Sequence, residues 1–292
     1  MRFRFLGTGT SVGVPQIGCT CKVCTSTDPR DRRRRCGAYV RSGDVGFLID
    51  TPPELRLACV EYGISKVDAV VLTHAHMVHA AGFDDVRRFN TLNGTMVECK
   101  PTDPGANGRT CRCIGKILPC YAMKETEEAM HRIFPYISAK GGAHGLYRPQ
   151  IEFDNADSFE IGSIRVERVA VEHGFPCCGY VLEEGNREQG TGNREQGTGN
   201  RGKRIAYISD CHELPGGTIE KLKGVDTLVL NCLREREHPT HLSLAAALGY
   251  VGRIAPRRTY LIHMCHDFTH EEWLRKLPSG VEPAYDGLEI QV

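Results

Sequence analysis

Three short motifs, far apart in the chain, place cysteine and histidine at the spacings of metal ligands. They are Cys19-Thr-Cys21-Lys-Val-Cys24, Thr73-His74-Ala-His76-Met-Val-His79 and His263-Met-Cys-His266. Three thiolates with one imidazole make a closed, structural zinc site, whereas several histidines with a carboxylate leave a coordination position open for catalysis. Each upstream motif lacks one ligand, and the two histidines of the third motif could supply one each. The spacing therefore predicts a metallohydrolase with a separate structural zinc.

Further segments accompany these motifs nearly from one end of the chain to the other. They are Phe5-Leu-Gly-Thr-Gly-Thr-Ser11, Asp28-Pro-Arg-Asp-Arg-Arg, Leu48-Ile-Asp50-Thr51, Val171-Glu-His173-Gly174, Ile208-Ser-Asp210, Pro239-Thr-His241-Leu-Ser and Tyr285-Asp-Gly. In this order the segments resemble the metallo-β-lactamase superfamily, and within it the phosphodiesterase branch related to the cyclic phosphodiesterase of phosphonate breakdown. The resemblance implies an α/β fold, a four-layer αββα sandwich.

The resemblance also implies a two-metal active site. Its ligands would be His74, His76 and His173 for the first ion, His79 and His263 for the second, and Asp210 as the bridge between them. Two ions about 3.5–4 Å apart lower the pKa of a shared water and clamp the phosphoryl oxygens during an in-line displacement. The family motif is His-x-His-x-Asp-His, however, and Val78 stands where the aspartate is expected. We therefore expect zinc or manganese at the first position and weak binding at the second.

Two other sets of residues receive roles from the same resemblance. Cys19, Cys21, Cys24 and His266 correspond to the structural zinc site of this branch, a cysteine pattern shared with relatives in pyrroloquinoline-quinone biosynthesis. His241 corresponds to the general acid that protonates the departing alkoxide, which suits an imidazole because its pKa lies near neutrality. Asp50 is expected to order a ligand or a loop of the active site.

The composition gives no bulk electrostatic reason to expect nucleic acid or membrane as a partner. The chain of 292 residues carries 37 basic and 36 acidic side chains. One local exception, Arg30 with the run 32–35, is either a solvated loop or a basic rim over a phosphate pocket. The first residues lack the apolar run of a signal peptide, and nowhere do about 18 apolar residues follow one another. The cytoplasm is therefore expected, with cysteines that bind metal and form no disulfides.

Short β-branched runs alternate with helical patterns along the chain, as in an α/β protein. Predicted strands end directly in Asp50, His74, His173, Asp210 and His263, where a rigid sheet can present ligands on its loops. No domain boundary is evident, so we predict one domain over residues 1–292.

Two insertions interrupt this pattern. The segment near 96–116 carries Cys99, Cys111 and Cys113, with Cys120 just beyond, and either holds a third zinc or is a loop with reduced thiols. The segment near 185–202 contains the heptad Glu188-Gln-Gly-Thr-Gly-Asn-Arg194, repeated at 195–201. It is polar and Gly-rich, which favours a hairpin extension without function.

These observations favour a metal-dependent phosphodiesterase whose substrate is a small or cyclic phosphodiester. Two alternatives remain open: a weakened pseudoenzyme that only binds its ligand, and a cofactor-biosynthesis protein of the same fold. The expected partner is the small substrate, with neither membrane nor nucleic acid, and both monomer and homodimer are compatible with the sequence.

Overall fold

Two mixed β-sheets of seven strands each form the centre of the structure, a computed structural model that describes residues 1–97, 112–138, 148–185 and 202–292. In spatial order the first sheet contains β16 (Glu289–Gln291), β1 (Arg2–Gly7), β2 (Gly37–Ser42), β3 (Val45–Ile49), β4 (Ala69–Val71), β7 (Leu118–Tyr121) and β8 (Ile151–Asp154). The second contains β15 (Val281–Pro283), β14 (Arg258–Ile262), β13 (Thr227–Asn231), β12 (Lys203–Ile208), β11 (Cys178–Glu184), β10 (Ile164–Ala170) and β9 (Ser158–Ile161). A separate hairpin pairs β5 (Thr95–Val97) with β6 (Arg112–Ile114).

Each large sheet is half antiparallel and half parallel. In the first, β16 to β3 pair antiparallel and β3 to β8 pair parallel. In the second, β9 to β12 pair antiparallel and β12 to β15 pair parallel. Parallel neighbours need crossover connections, which here run through helices.

Helices cover the outer face of each sheet. They are α1 (Leu55–Glu61), α2 (Met77–Ala80), α3 (Arg87–Leu92), α4 (Lys124–Ile133), α5 (Gly216–Leu222), α6 (Leu244–Ile254) and α7 (His270–Lys276), with 3-10 turns at Pro29–Asp31, Ala81–Val86 and Pro135–Ser138. A capping box of Thr269 and Glu272 begins α7 and satisfies backbone donors at its first turn.

Buried apolar side chains fall into three layers that correspond to this arrangement. Large aromatic residues such as Phe3, Phe47 and Tyr180 fill the space between the two sheets. Leu55 and Phe83 pack on the outer face of the first sheet, and helices α5 to α7 cover the second. The order helix, sheet, sheet, helix confirms the predicted αββα sandwich.

The arginine-rich segment 30–35 is not a fully solvated loop, since Arg32 is the one arginine in it that is exposed. Arg33 is 2% exposed and donates through Nη1 to Thr8 Oγ1 and Ala284 O. Arg30 pairs with Asp28 and Glu271, and the guanidinium groups of Arg34 and Arg35 pair with Glu61 and Glu54. The contacts of Arg30, Arg34 and Arg35 with Glu271, Glu61 and Glu54 join segments distant in sequence. The interpretation as a solvated loop was therefore wrong, because sequence shows charge but not its partners, and the phosphate-binding rim stays a prediction.

The four cysteines considered for a third metal site belong to the insertion near 96–116 or lie just beyond it. Cys99 and Cys111 lie outside the described residues, as do residues 186–201 with the repeated heptad. Cys120 is buried in β7 within the first sheet. Within the described ranges, none of the helices is long and apolar enough to cross a membrane.

Candidate metal centres

The polar residues that follow the strands meet at one edge of the two sheets, as the pattern predicts. Asp50 follows β3, His74 follows β4, His173 follows β10, Asp210 follows β12 and His263 follows β14. Asp50 and His263 adopt φ angles of 62° and 61°, in the left-handed region that non-glycine residues rarely occupy. Such strained backbone is typical of functional sites, where the surrounding structure holds it in place.

Three histidines form the first cluster of this edge. His74 and His173 are buried and His76 is exposed, and the ligand nitrogens of all three lie within 4.8 Å of one another. His74 Nε2 is 3.0 Å from His76 Nδ1, and burial lowers the pKa of His74 well below its ordinary value. A neutral imidazole is the form that binds a metal, so the cluster suits a divalent cation.

The carboxylate of Asp210 lies beside this cluster, between two further histidines. His79 Nε2 is 3.0 Å from Oδ2, and His263 Nε2 is 3.0 Å from Oδ1. Among the described residues, these two nitrogens and Oδ2 are buried without a hydrogen-bond partner, since their close approach lacks hydrogen-bond geometry. Buried polar atoms that converge without pairing are costly unless another group satisfies them. A cation would do so, and the donor set fits one.

Electrostatics support the same interpretation. Burial would raise the pKa of Asp210, but His263 and His79 outweigh it and hold that pKa well below the ordinary value. Burial would lower the pKa of His79, yet Asp210 and Asp50 raise it to about 10. The carboxylates of Asp210 and Asp50 thus make the potential around His79 negative, and a bound cation would replace the proton there.

Asp50 orients His79 through the ring nitrogen that faces away from Asp210. Its carboxylate accepts from the Thr73 backbone N–H at 2.8 Å, from Thr73 Oγ1 and from His79 Nδ1 at 2.8 Å. A carboxylate on the distal nitrogen fixes the tautomer and ring orientation of a ligating histidine. This geometry agrees with the ordering role expected for Asp50.

In the two-ion arrangement that the resemblance implies, Val78 would leave the second position one donor short, and the nearest carboxylates in sequence are engaged elsewhere. Asp84 pairs with Arg87 at 3.2 Å and accepts from the Tyr136 hydroxyl. Asp85 lies on a groove beside Arg56, away from the histidines. Neither replaces the missing carboxylate.

His241 lies inside the cluster. Its Nδ1 is 3.6 Å from Asp210 Oδ1, and its ring stacks on His263 at 4.3 Å and 25°. The neighbouring Thr240 carbonyl accepts from His173 Nδ1 at 3.0 Å, which ties this loop to the first cluster. Burial, with the charge of His263, lowers the pKa of His241 to about 3. An anionic substrate beside the ring would favour its protonated form.

The cysteine cluster is separate from this site. His266 Nδ1 lies 3.4 Å from Cys19 Sγ, 3.7 Å from Cys21 Sγ and 3.2 Å from Cys24 Sγ. Zinc with bonds of about 2.3 Å to sulfur and about 2.0 Å to nitrogen in tetrahedral geometry separates these atoms by roughly 3.5 Å. The four predicted ligands therefore already stand at zinc-binding distances.

Two residues near the histidines carried no distinguishing signal in the sequence. The ring of His238 lies 5.2 Å from that of His241. Phe175 stacks on His76, with ring centres 4.7 Å apart and planes at 28°. In the sequence, only their neighbours pointed to them: His238 is three residues before His241, and Phe175 is two residues after His173.

Comparisons with known proteins agree with this geometry. A family model described as a beta-lactamase superfamily domain matches residues 46–264. A crystal structure of a diphosphatase from the PhnP family shares 32% identity and a TM-score of 0.78, covering 100% of this chain and 97% of that one. Zinc-bound PqqB from Methylobacterium extorquens, at 17% identity and a TM-score of 0.70 over the full length of both chains, shares the fold.

A curated relative is named for a different activity. It is an octanoyltransferase of Porphyromonas gingivalis, 30% identical over 99% of this chain. The chain spans about half of that relative, 51% of its length. The octanoyltransferase name therefore belongs to a protein about twice as long.

Proposed function

The chain belongs to the beta-lactamase superfamily as a metal-dependent hydrolase that resembles the PhnP family, and we propose that its substrate is a small or cyclic phosphodiester. The observation that carries this proposal is the convergence of unpaired, buried donor atoms on the two oxygens of Asp210. Such an arrangement suits a cation and, beside it, the oxygens of a phosphoryl group.

The residues of the cluster divide into two sets in this proposal. His74, His76, His173 and Asp210 would hold the first ion, and His79 and His263 with Asp210 would hold a second, weaker one. When bound, zinc or manganese lowers the pKa of water and stabilises charge on phosphoryl oxygens. Asp50 keeps His79 oriented, and Thr240 keeps His173 oriented.

His241 is the candidate donor of a proton to the departing oxygen. It lies in the cluster beside Asp210, on the loop before α6, so it contacts the site from the side of the second sheet. A positioned acid contributes most where the leaving group is a poor one. The role follows from the resemblance and from this location.

Val78 favours a second candidate function, a weakened enzyme that binds a phosphate ester and turns it over slowly. Removing even an outer partner of a ligand costs about 10–100-fold in metal affinity or activity. A missing carboxylate ligand should cost at least as much. The two candidates differ in rate and in metal content, and not in the ligands of the first ion.

Hydrolysis of bis(p-nitrophenyl) phosphate by the zinc- or manganese-loaded protein tests the proposal. We expect cleavage of this diester to exceed that of p-nitrophenyl phosphate, and His76→Ala to lower it by about 100-fold or more. His212→Ala is the matched control, because this histidine is exposed and outside the cluster. Equal rates for the His76 and His212 variants, or cleavage of the monoester alone, would refute a diesterase centred on these histidines.

A further inference from the structure

A cavity of about 340 Å³ on the outer face of the first sheet, here called the basic cavity, is lined mainly by cationic side chains. Phe3 of β1 fills the space between the two sheets, so Arg2 and Arg4, its neighbours in the strand, point to the outer face. Arg41 of β2 and Lys66 of the loop after α1 complete the set of cations, and the carboxylates in the lining are Asp44 and Glu289. Four cations thus face two carboxylates, and the cavity has a net positive charge.

The basic cavity lies at the opposite edge of the sheet from the histidine cluster. Arg41 pairs in register with Gly46 near the start of β3, whereas Asp50 follows the end of that strand. The four residues between these positions span about 13 Å of extended chain. Lys66 likewise precedes β4, and His74 follows it. A ligand in this cavity would therefore bind apart from the candidate metal centres.

Two arginines of the basic cavity, Arg2 and Arg41, are direct cross-strand neighbours on β1 and β2. The Cβ atoms of such pairs lie about 4.5–5.5 Å apart, and like charges in these positions destabilise a sheet. Glu289 compensates part of the charge: one oxygen accepts from Arg4 Nε and Nη2 at 3.0 and 2.7 Å, and the other lies 3.7 Å from Arg2 Nη1. Arg41 donates from Nε to Gly43 O at 3.0 Å and, within the described residues, pairs with no carboxylate. The repulsion between Arg2 and Arg41 is therefore not fully offset by the protein itself.

The walls of the basic cavity hold its cationic groups in place. The guanidinium of Arg4 lies over the ring of Tyr62, 5.4 Å from its centre. Tyr39 donates from its hydroxyl to Lys66 O at 2.9 Å, which ties the loop that carries Lys66 to β2. Side chains that are positioned before a ligand arrives lose less conformational freedom when it binds. The cavity is thus arranged in advance for an anion.

We propose that the basic cavity is a second binding site, for a small dianion that carries a phosphate-type group. The planar fork of an arginine binds two oxygens of such a group at once, and a dianion between Arg2 and Arg41 replaces their repulsion by attraction to a shared partner. The volume of the cavity falls in the range of small-molecule sites, about 300–1,000 Å³. A monoatomic anion such as chloride offers half the charge and no second oxygen. The site is independent of the proposed diesterase activity.

Binding of inorganic phosphate, measured by calorimetry at constant ionic strength, tests this site. All samples are zinc-loaded protein with His76→Ala, dialysed free of unbound zinc, so that phosphate binding at the histidine cluster is weakened in each of them. We expect one phosphate per chain in this background and binding weaker by about tenfold or more after Arg41→Gln. Arg165→Gln is the matched control, because this arginine is exposed on β10 of the second sheet and should leave phosphate binding unchanged.

Thermal unfolding distinguishes an arginine that binds a ligand from one that stabilises the fold. In chloride buffer without phosphate, Arg41→Gln should keep or raise the Tm, because it removes the like-charge neighbour of Arg2. Phosphate should raise the Tm of the parent protein, as any ligand of the folded state does, and this rise should be lost in Arg41→Gln. A lower Tm of Arg41→Gln without phosphate, or equal phosphate binding in Arg41→Gln and the parent, would overturn the inference. Neither measurement requires turnover, so a protein that binds phosphate through Arg41 but cleaves no diester would refute the proposed function alone.

Discussion

At the scale of single residues, Val78 is the side chain on which the metal content of the active site depends. An isopropyl group cannot coordinate a cation, so in the proposed two-ion arrangement His79, His263 and Asp210 would hold the second ion, and three protein ligands can still bind zinc with water. Val78→Asp should therefore add about one bound ion per chain and raise diester hydrolysis by about 10-fold or more. Elemental analysis of the purified variants measures the first effect.

The control for this substitution is Val78→Leu, which alters the side chain without adding a donor and should change neither quantity. Two fully occupied ions in the unmodified protein, besides the zinc of the cysteine cluster, would show that another residue supplies the missing ligand.

His241 gives a second prediction at this scale. His241→Ala should slow a cyclic phosphate of an aliphatic diol by about 10²–10⁴-fold, because its alkoxide needs a proton to depart. The same change should affect bis(p-nitrophenyl) phosphate far less, since nitrophenolate leaves without one. Comparison of kcat for the two substrates measures this difference, with His238→Ala as the neighbouring control. An equal loss for both substrates would indicate that His241 binds or positions and does not donate a proton.

The amino-acid sequence predicts the residues of the two clusters better than it predicts their surroundings. Cysteine and histidine at fixed spacings mark ligands, so both sets of candidate ligands can be recognised from their motifs. Phe175 cannot be recognised in this way, because nothing in its local sequence distinguishes it from any other aromatic residue. Its contact with His76 exists only once β4 and β10 bring their ends together.

At the scale of secondary-structure elements, the cysteine cluster joins the N-terminal loop to the segment after β14. His266 is three residues beyond His263, so a zinc bound there would hold a loop that also carries an active-site ligand. Cys21→Ser should therefore remove about one zinc per chain and lower the Tm by at least about 5 °C, since 1 kcal/mol corresponds to about 2–4 °C in a chain near this size. Thermal unfolding and elemental analysis, run side by side, measure both effects.

Thr20→Ser, an exposed change in the same loop, is the control for that variant and should leave zinc and Tm as they are. A Cys21 variant that kept its zinc and its melting curve would exclude the cluster as a structural site.

The elements themselves were predictable where the local pattern is clear. The helical pattern over residues 124–134 predicts α4, which is found at Lys124–Ile133, and the β-branched run over residues 259–262 predicts β14, which is found at Arg258–Ile262. Strands β15 and β16 escaped prediction because three residues are too few to display a period of two. Strand β7 contains Pro119, which argues against a strand in sequence alone.

At the scale of the whole molecule, the sandwich explains why the polar residues that follow the strands, among them Asp50, Asp210 and His263, lie close together. Strands from both sheets end at one edge, and the crossover helices return the chain so that successive strand ends add ligands to the same place. Arg34 and Arg35 of segment 30–35 tie this part of the chain to α1 through Glu61 and Glu54. This pairing could not be predicted because the partners lie about 20–30 residues further along the chain.

The central claim is that two chemically separate metal centres occupy one fold and that only the histidine cluster hydrolyses phosphodiesters. Titration of the chelator-treated protein with zinc, with bound metal and bis(p-nitrophenyl) phosphate hydrolysis followed together, tests this most directly. Thiolates bind zinc strongly, so we predict that the first equivalent fills the cysteine cluster without activity and that hydrolysis rises with the second. Hydrolysis that survives full removal of metal, or that reaches its maximum with the first equivalent, would contradict the account.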